Sequence, residues 1–263
     1  MIKLIACDID GTLIPYGHSG LPQGLFPLVR ALHEKGILFC PASGRQYHSL
    51  RILFAPVADI SYFLCENGAA VFGPDREEDA APLISKTVFP RQEALELCRD
   101  IIACPKGDVF ISGQNTTYLC HCDPATLLHT QNFLGNRAEI VEDPAEITED
   151  IIKISVYCPD GVALPAQVLG PRWGEAFNMA EAGPAWLDFT LSNKGTGITA
   201  LCDALGIGLA DVAAFGDNWN DLAMLQTVGH PYLMSTADPK LKELIPQHCD
   251  DVLPVLEGFL AQA

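Results

Sequence analysis

Two carboxylates follow a short apolar run at the start of the chain. Residues 3–7 are typical of a buried strand, and Asp8 and Asp10 come directly after it, two positions apart. At that spacing one carboxylate can point at a bound substrate while the other lies alongside it. Such a pair can divide the roles of nucleophile and general acid/base. Because Asp10-Gly11 is also a common turn dipeptide, a merely acidic turn stays open from this segment alone.

A second acidic cluster follows another apolar run, near the end of the sequence. Residues 212–215 predict a buried strand, and Asp217 and Asp221 come soon after it. If the two strands are neighbours, Asp8 joins this pair at the edge of the sheet where ligands bind. Carboxylates so close repel one another unless a cation lies among them, and oxygen ligands suit Mg²⁺. Helix capping explains one of these polar residues, but not acidic clusters at two strand ends.

Two further segments have the composition of a phosphate site. Ser43 and Gly44 follow a predicted strand at 37–40 and precede a helix, so their hydroxyl and backbone N–H groups favour a bound anion. Lys194 opens a predicted helix at 194–205, where the helix dipole disfavours a cation. A ligand anion nearby would resolve this conflict, and a solvated surface lysine is the alternative.

Strands and helices must bring these candidate site residues together. In the terminal parts of the chain, strands are predicted at 3–8, 37–40, 62–65 and 212–215, and helices at 26–32, 47–54, 194–205 and 221–225. Short buried strands that alternate with helices indicate a doubly wound α/β core whose mainly parallel sheet is covered on both faces.

The middle of the chain has a different pattern. Strands are predicted at 84–89, on both sides of Gln114-Asn115, at 151–158, and near Phe177 and Leu187, with helices at 92–103 and 125–133. The charged, Ala- and Pro-rich stretch 76–82 is typical of a boundary. We therefore expect a discontinuous core, 1–81 and 185–263, that carries an inserted α+β domain at 82–184.

The composition excludes several classes of protein. The chain has 263 residues, with 16 Lys and Arg against 33 Asp and Glu, and thus a formal net charge of −17. So acidic a chain argues against a partner with a nucleic-acid backbone. Its apolar runs are too short to span a bilayer, and its first residues lack the pattern of a signal peptide. We therefore expect a cytoplasmic protein with neither a nucleic-acid nor a membrane partner.

Together these segments resemble the haloacid dehalogenase-like (HAD) hydrolase superfamily, and more specifically its Cof-type phosphatases, which carry a cap domain between the second and third motifs. The matching segments are Asp8-Ile9-Asp10-Gly11-Thr12-Leu13, Ala42-Ser43-Gly44-Arg45, Glu66-Asn67-Gly68-Ala69, Asn193-Lys194-Gly195 and Gly216-Asp217-Asn218-Trp219-Asn220-Asp221-Leu222-Ala223-Met224-Leu225. They extend through the whole predicted core, whereas the inserted domain matches a cap by position and approximate size.

The resemblance implies a role for each matching residue. Asp8 would attack phosphorus and form an aspartyl-phosphate, and Asp10 would protonate the leaving oxygen and then activate water. Mg²⁺ would be bound by Asp8, by the backbone carbonyl of Asp10 and by Asp217, with Asp221 as a ligand or close by through water. The phosphoryl oxygens would be held by Ser43, Gly44, Lys194 and Asn220, with Arg45 as a further candidate for substrate contact.

The activity implied by the resemblance is Mg²⁺-dependent hydrolysis of a small phosphorylated metabolite, such as a sugar phosphate. Two alternatives stay open: a phosphomutase or phosphotransferase that uses the same aspartyl-phosphate, and a catalytically silent protein that binds a phosphorylated ligand. A silent relative could lose Asp10 without unfolding, so the intact pair Asp8 and Asp10 favours an enzyme. The chain departs from the family pattern at Ser43, where Thr is common, and at Met234–Ala237, where Gly-Asn-Ala is frequent.

Overall fold

A computed structural model of the chain describes residues 1–77, 80–105, 107–182 and 184–263. The strands are β1 (Leu4–Cys7), β2 (Leu38–Pro41), β3 (Phe63–Cys65), β4 (Ala70–Phe72), β5 (Leu83–Lys86), β6 (Asp108–Ser112), β7 (Thr117–Cys120), β8 (Ala138–Val141), β9 (Lys153–Tyr157), β10 (Ala180–Glu181), β11 (Trp186–Thr190), β12 (Val212–Gly216), β13 (His230–Met234) and β14 (His248–Cys249). The helices are α1 (Leu25–Glu34), α2 (Tyr47–Leu53), α3 (Arg91–Ala103), α4 (Pro124–Asn132), α5 (Ala163–Trp173), α6 (Lys194–Leu205), α7 (Leu222–Thr227), α8 (Pro239–Leu244) and α9 (Val252–Gln262).

The chain forms two compact units. The first consists of Met1–Gly44, Leu53–Ser85 and Asn193–Ala263, and the second of Arg45–Ile52 and Lys86–Ser192. These bounds differ from the predicted 1–81, 82–184 and 185–263, so the division into a catalytic core and a cap stays a prediction. Residues 78 and 79 of the predicted boundary stretch lie outside the described residues. In the part of the chain that the structure describes, no helix is long and apolar enough to cross a membrane.

A parallel sheet in the order β14-β13-β12-β1-β2 forms the centre of the first unit. β1 pairs with β12 on one side and with β2 on the other, and Leu4 is the partner of both Val212 and Leu38. All four residues of β1 are buried, as expected for an interior strand covered on both faces. Because β1 and β12 are parallel neighbours, the residues that follow them lie at the same edge of the sheet. The predicted α/β fold with a mainly parallel sheet is confirmed.

Helix α6 packs against this sheet and supplies part of the core of the first unit. Its residues Ile198 and Leu201 are buried in one apolar cluster with Leu4 of β1, Ala214 of β12 and Leu225 of α7. The cluster fixes α6 beside β1 and β12. The first residue of the helix, which is Lys194, is thereby held near the carboxyl ends of both strands.

The apolar run at 62–65 forms β3, as predicted, and lies parallel to β2: an isolated parallel bridge joins Ala42 to Leu64, and the Tyr62 N–H donates to the Phe39 carbonyl at 2.9 Å. β3 also pairs antiparallel with β4, with Cys65 as the partner of Ala70. The turn at Glu66–Gly68 joins these two strands, and the chain reverses there through three residues with positive φ. A reversal of this kind favours a hairpin, so the additional strand β4 follows from the turn.

The second unit contains a sheet in the order β10-β11-β9-β6-β7-β8, in which β7 and β8 are parallel and the other pairs antiparallel. Its core includes Leu97 of α3, Leu169 of α5 and Val156 of β9. The strand predicted near Phe177 corresponds to the short β10, which begins three residues later. Helix α5 was not predicted, because prolines interrupt its pattern.

Candidate active site

Three carboxylates come together at the carboxyl edge of the parallel sheet. Asp8 follows β1, whereas Asp217 and Asp221 follow β12. One oxygen atom of each carboxylate lies within 4.8 Å of the other two. The three residues are also buried, with exposed fractions of 5%, 5% and 0% in chain order. The structure therefore gathers three of the four predicted metal-binding residues in one buried cluster, which we call the acidic triad.

A buried lysine is paired with two members of the acidic triad. Lys194 Nζ donates to Asp8 Oδ1 at 2.5 Å and to Asp221 Oδ1 at 2.6 Å, and its side chain is 0% exposed. Asn193 caps α6 by accepting a hydrogen bond from the backbone N–H of Thr196, which sets where the helix begins. The unusual position of a lysine at a helix start is thus compensated by carboxylates. The alternative of a solvated surface lysine is wrong.

Asp221 uses both of its carboxylate oxygens to organise the site. Oδ1 accepts from Lys194, and Oδ2 accepts from the backbone N–H groups of Asp217 at 3.0 Å and of Asn218 at 3.1 Å. These contacts close the turn between β12 and α7. Asp221 is therefore arranged to orient Lys194 and the backbone of this turn, and its oxygens are more heavily hydrogen-bonded than those of Asp8.

Two hydroxyl groups hold Asp217. Thr12 Oγ1 donates to Asp217 Oδ1 at 3.2 Å, and Tyr16 Oη donates to Asp217 Oδ2 at 2.9 Å. Burial and then the charge of Asp217 raise the pKa of Tyr16 to about 12, so the phenol stays protonated and can donate at neutral pH. The sequence prediction assigned no role to either residue. Thr12 lies within a matching motif, whereas no pattern in the sequence marks Tyr16.

Burial and mutual repulsion leave the acidic triad with excess negative charge. Burial, with the charge of Asp221 second, raises the pKa of Asp8 from 3.8 to about 8, although Lys194 opposes the shift. The same two causes raise the pKa of Asp217. Burial alone would lower the pKa of Lys194, but Asp221 and Asp8 outweigh it and raise that pKa. One lysine therefore does not neutralise three carboxylates, and this all-oxygen donor set fits a hard divalent cation such as Mg²⁺.

The predicted phosphate-binding residues at the end of β2 and after β12 are connected by Asn67. The Ser43 carbonyl accepts from the Asn67 N–H at 3.0 Å, and Asn220 Nδ2 donates to Asn67 Oδ1 at 3.3 Å. The Asn67 amide also lies against Gly44, where an added Cβ would come within 3.2 Å of it. Asn67 had no role in the sequence prediction. The turn dipeptide Asn67-Gly68 is the signal that marks it.

The remaining two predicted site residues are not members of the acidic triad. Asp10 is exposed, and its backbone forms an isolated bridge with Ile14 in the turn that follows β1. Arg45 is half-buried and belongs to the second compact unit, and its role in the site stays a prediction.

Gly11 provides a direct test of how tightly Asp217 is packed. It has a φ of +96°, and an added Cβ would lie 2.2 Å from Asp217 Oδ2. We expect Gly11→Ala to lower the free energy of unfolding by about 2–5 kcal/mol, the combined cost of left-handed strain and overpacking. Gly20 is the matched control, since its φ is +87° but no described atom lies within 4 Å of the added Cβ. Gly20→Ala should lose only about 1–2 kcal/mol in the same urea denaturation series. Equal losses in the two variants would contradict close packing at Asp217.

Residues 5–252 match the model of a protein family described as haloacid dehalogenase-like hydrolase. The chain belongs to this family. Among curated relatives, 5-amino-6-(5-phospho-D-ribitylamino)uracil phosphatase of Escherichia coli is 26% identical over 246 residues, which cover 90% of this chain and 86% of that protein. HMP-PP phosphatase of Serratia proteamaculans is also 26% identical, over 95% of this chain and 92% of its own length.

Solved structures share the fold of this chain. A crystal structure of a protein from Eubacterium rectale has a TM-score of 0.85 and 29% identity, and the match covers 98% of this chain and 99% of that one. A HAD subclass IIB sugar phosphatase has a TM-score of 0.78 and 21% identity, with 98% of both chains covered. The predicted membership of the HAD superfamily and the predicted class of enzyme, a hydrolase, are confirmed.

Proposed function

We propose that this HAD-like enzyme is a Mg²⁺-dependent phosphatase that hydrolyses small phosphomonoesters through an aspartyl-phosphate on Asp8. The observation that carries the proposal is the buried pairing of Asp8 with Lys194, at the strand end where Asp217 and Asp221 also lie. The names of the two curated relatives support small phosphorylated metabolites as the substrate class, and the name of the subclass IIB structure supports sugar phosphates among them.

Asp8 is the proposed nucleophile. One of its carboxylate oxygens forms a bond to phosphorus while the bond from phosphorus to the leaving oxygen breaks. The step requires Asp8 to be ionised, which its hydrogen bond from Lys194 favours. When bound by Asp8, Asp217 and the carbonyl of Asp10, Mg²⁺ supplies positive charge that neutralises the carboxylates and the phosphoryl oxygens.

Asp10 is the proposed general acid and base. Its side chain is exposed, in contrast to the acidic triad, so it can exchange protons with substrate and water. In the first step it donates a proton to the leaving oxygen. In the second it takes a proton from the water that attacks phosphorus, and the bond between phosphorus and the Asp8 oxygen breaks. The products are inorganic phosphate and the free Asp8 carboxylate.

The remaining residues of the proposed site position the phosphoryl group. We assign the binding of phosphoryl oxygens to Ser43, Gly44, Lys194 and Asn220. Asn67 contacts Ser43, Gly44 and Asn220 and thereby fixes their positions relative to one another. Asp221 then acts mainly by orienting Lys194 and the turn after β12, because both of its oxygens are already hydrogen-bonded. A substrate contact of Arg45 remains a prediction from the family resemblance.

The proposal predicts that the purified protein hydrolyses p-nitrophenyl phosphate when Mg²⁺ is present. Removal of divalent ions with EDTA should abolish turnover, and added Mg²⁺ in excess should restore it, because the acidic triad repels an anionic substrate when no cation is bound. Release of inorganic phosphate without a sugar acceptor distinguishes a hydrolase from a phosphomutase. Turnover that persists in EDTA would contradict the metal assignment. The ratios of kcat/KM across a panel of sugar phosphates and other small phosphomonoesters then define the substrate class.

A further inference from the structure

Tyr16 contacts the proposed metal site from outside the matching motifs. Its hydroxyl donates to Asp217 Oδ2 at 2.9 Å, although the two residues are 201 positions apart in the chain. The other oxygen of Asp217 accepts from Thr12 at 3.2 Å. Each oxygen of this carboxylate is therefore held by a different hydroxyl group, which fixes both its position and the orientation of its plane.

The backbone around Tyr16 forms a defined turn that directs the side chain to this contact. The N–H of His18 donates to the carbonyl of Pro15 at 3.0 Å, which closes a four-residue turn with Tyr16 and Gly17 at its centre. Gly17 has a φ of +83°, the value that the third residue of a type II turn requires and that glycine adopts readily. The segment before it is also fixed, because Gly11 N–H donates to the carbonyl of Ile14 at 2.8 Å.

The Tyr16 side chain contributes little to the core of the first unit. The residue is 69% exposed, and its polar end contacts Asp217. The hydroxyl of such an exposed tyrosine orients the buried carboxylate, whereas its ring buries little apolar area. Removal of the Tyr16 hydroxyl should therefore change the orientation of Asp217 without unfolding the protein.

We propose that Tyr16 is a positioning residue that orients Asp217 for Mg²⁺ and thereby raises the affinity of the chain for this ion. The inference rests on the proposed function, because it takes Asp217 as a ligand of the metal. A carboxylate oxygen has two lone pairs, so Oδ2 can accept from Tyr16 while the carboxylate binds a cation. Residues that hydrogen-bond to metal ligands typically contribute about 10–100-fold in metal affinity, because they hold the ligand in its binding orientation.

The test is the Mg²⁺ affinity of Tyr16→Phe, measured by isothermal titration calorimetry on the full chain. We expect the Kd for Mg²⁺ to rise by about tenfold, while the Tm in EDTA stays near that of the wild type. In assays, the Mg²⁺ concentration for half-maximal turnover should rise similarly, with kcat at saturating Mg²⁺ less affected. Tyr232→Phe is the matched control, because it removes the same hydroxyl group from a ring that stacks on Phe215 at 4.8 Å in the same unit. Its Mg²⁺ affinity should equal that of the wild type.

Each other outcome counts against the inference. An unchanged Kd in Tyr16→Phe would show that Thr12 and the backbone orient Asp217 without the phenol. A lower Kd would show that the hydroxyl competes with the ion, which also overturns a positioning role. If the wild-type chain itself binds no Mg²⁺, the metal site of the proposed function is wrong, and the role of Tyr16 is overturned with it.

Discussion

Asp8→Asn is expected to reduce turnover of p-nitrophenyl phosphate by at least about 10³-fold, because the amide cannot form the aspartyl-phosphate. The variant should stay folded. Asn has nearly the same shape as Asp, and Lys194 keeps its second partner, Asp221, at 2.6 Å. Steady-state turnover in saturating Mg²⁺ and thermal melts of the same preparation measure the two effects. Turnover near the wild-type rate would refute Asp8 as the nucleophile.

The same variant has an expected pH signature. In the metal-free protein, burial and Asp221 raise the pKa of Asp8 from 3.8 to about 8, so the folded chain retains a proton that the unfolded chain releases. Asp8 therefore stabilises the fold at low pH, and this contribution is lost as the pH rises from about 4 to about 8. Asn does not titrate. In EDTA, the stability of Asp8→Asn relative to the wild type should accordingly increase with pH over this range.

Asp211→Asn is the matched control for Asp8→Asn. The pKa of Asp211 is shifted in the opposite direction to that of Asp8, because the hydrogen bond from Lys3 lowers it. It lies at the amino end of β12, so its removal should leave turnover unchanged. Its stability relative to the wild type should fall, not rise, as the carboxylate ionises. If the stability relative to the wild type rose with pH in both variants, general surface charge, and not the environment of Asp8, would explain the pH dependence.

The convergence of the acidic triad could be predicted because it depends on general properties of a parallel sheet. Short apolar runs mark β1 and β12, and strand ends in a parallel sheet share one edge. The neighbour relation of these strands is not encoded in hydrophobic periodicity. It was therefore a condition of the predicted cluster, and the parallel pairing of β1 with β12 establishes it. The hairpin of β3 and β4 shows the limit of periodicity, since it depends on the positive φ values of the turn at 66–68.

Other features depend on contacts between residues far apart in sequence, or on exceptions to local rules. Lys194 pairs with Asp8 across 186 positions, and no local pattern shows that its side chain is buried. No local pattern predicts the contact of Tyr16 with Asp217 either, since these residues meet only in the folded chain. Helix α5 contains Pro165 in its first turn, where a backbone N–H needs no partner, and Pro171 near its end. Tertiary packing therefore permits a helix that proline content argues against.

Lys194→Met should strongly destabilise the protein. Methionine has a similar length but no charge, so the acidic triad loses its buried counter-ion. Removing one partner of a buried ion pair typically lowers the free energy of unfolding by about 3–5 kcal/mol. We expect a loss of this size in EDTA at neutral pH, measured by urea denaturation, together with loss of turnover.

Two conditions should partly rescue Lys194→Met. Because Lys194 lowers the pKa of Asp8 in the wild type, the variant should have Asp8 and Asp217 protonated over a wider pH range. Its stability should thus increase more steeply than that of the wild type as the pH falls from about 8. Mg²⁺ should raise its Tm more than that of the wild type, because a cation replaces part of the missing charge and binds only the folded chain.

Lys3→Met separates these effects from the general loss of a lysine. Lys3 also forms an ion pair, with Asp211 at 2.7 Å, but its side chain is 55% exposed. Pairs of this kind contribute about 0–1 kcal/mol, and the control should show neither rescue by low pH nor a larger response to Mg²⁺. If Lys194→Met were no less stable than Lys3→Met in EDTA, the acidic triad would not depend on the ammonium group. If it were less stable but did not respond to Mg²⁺, the triad would need a lysine for folding without being a metal site. The pair of measurements therefore tests the charge balance of the site separately from its catalysis.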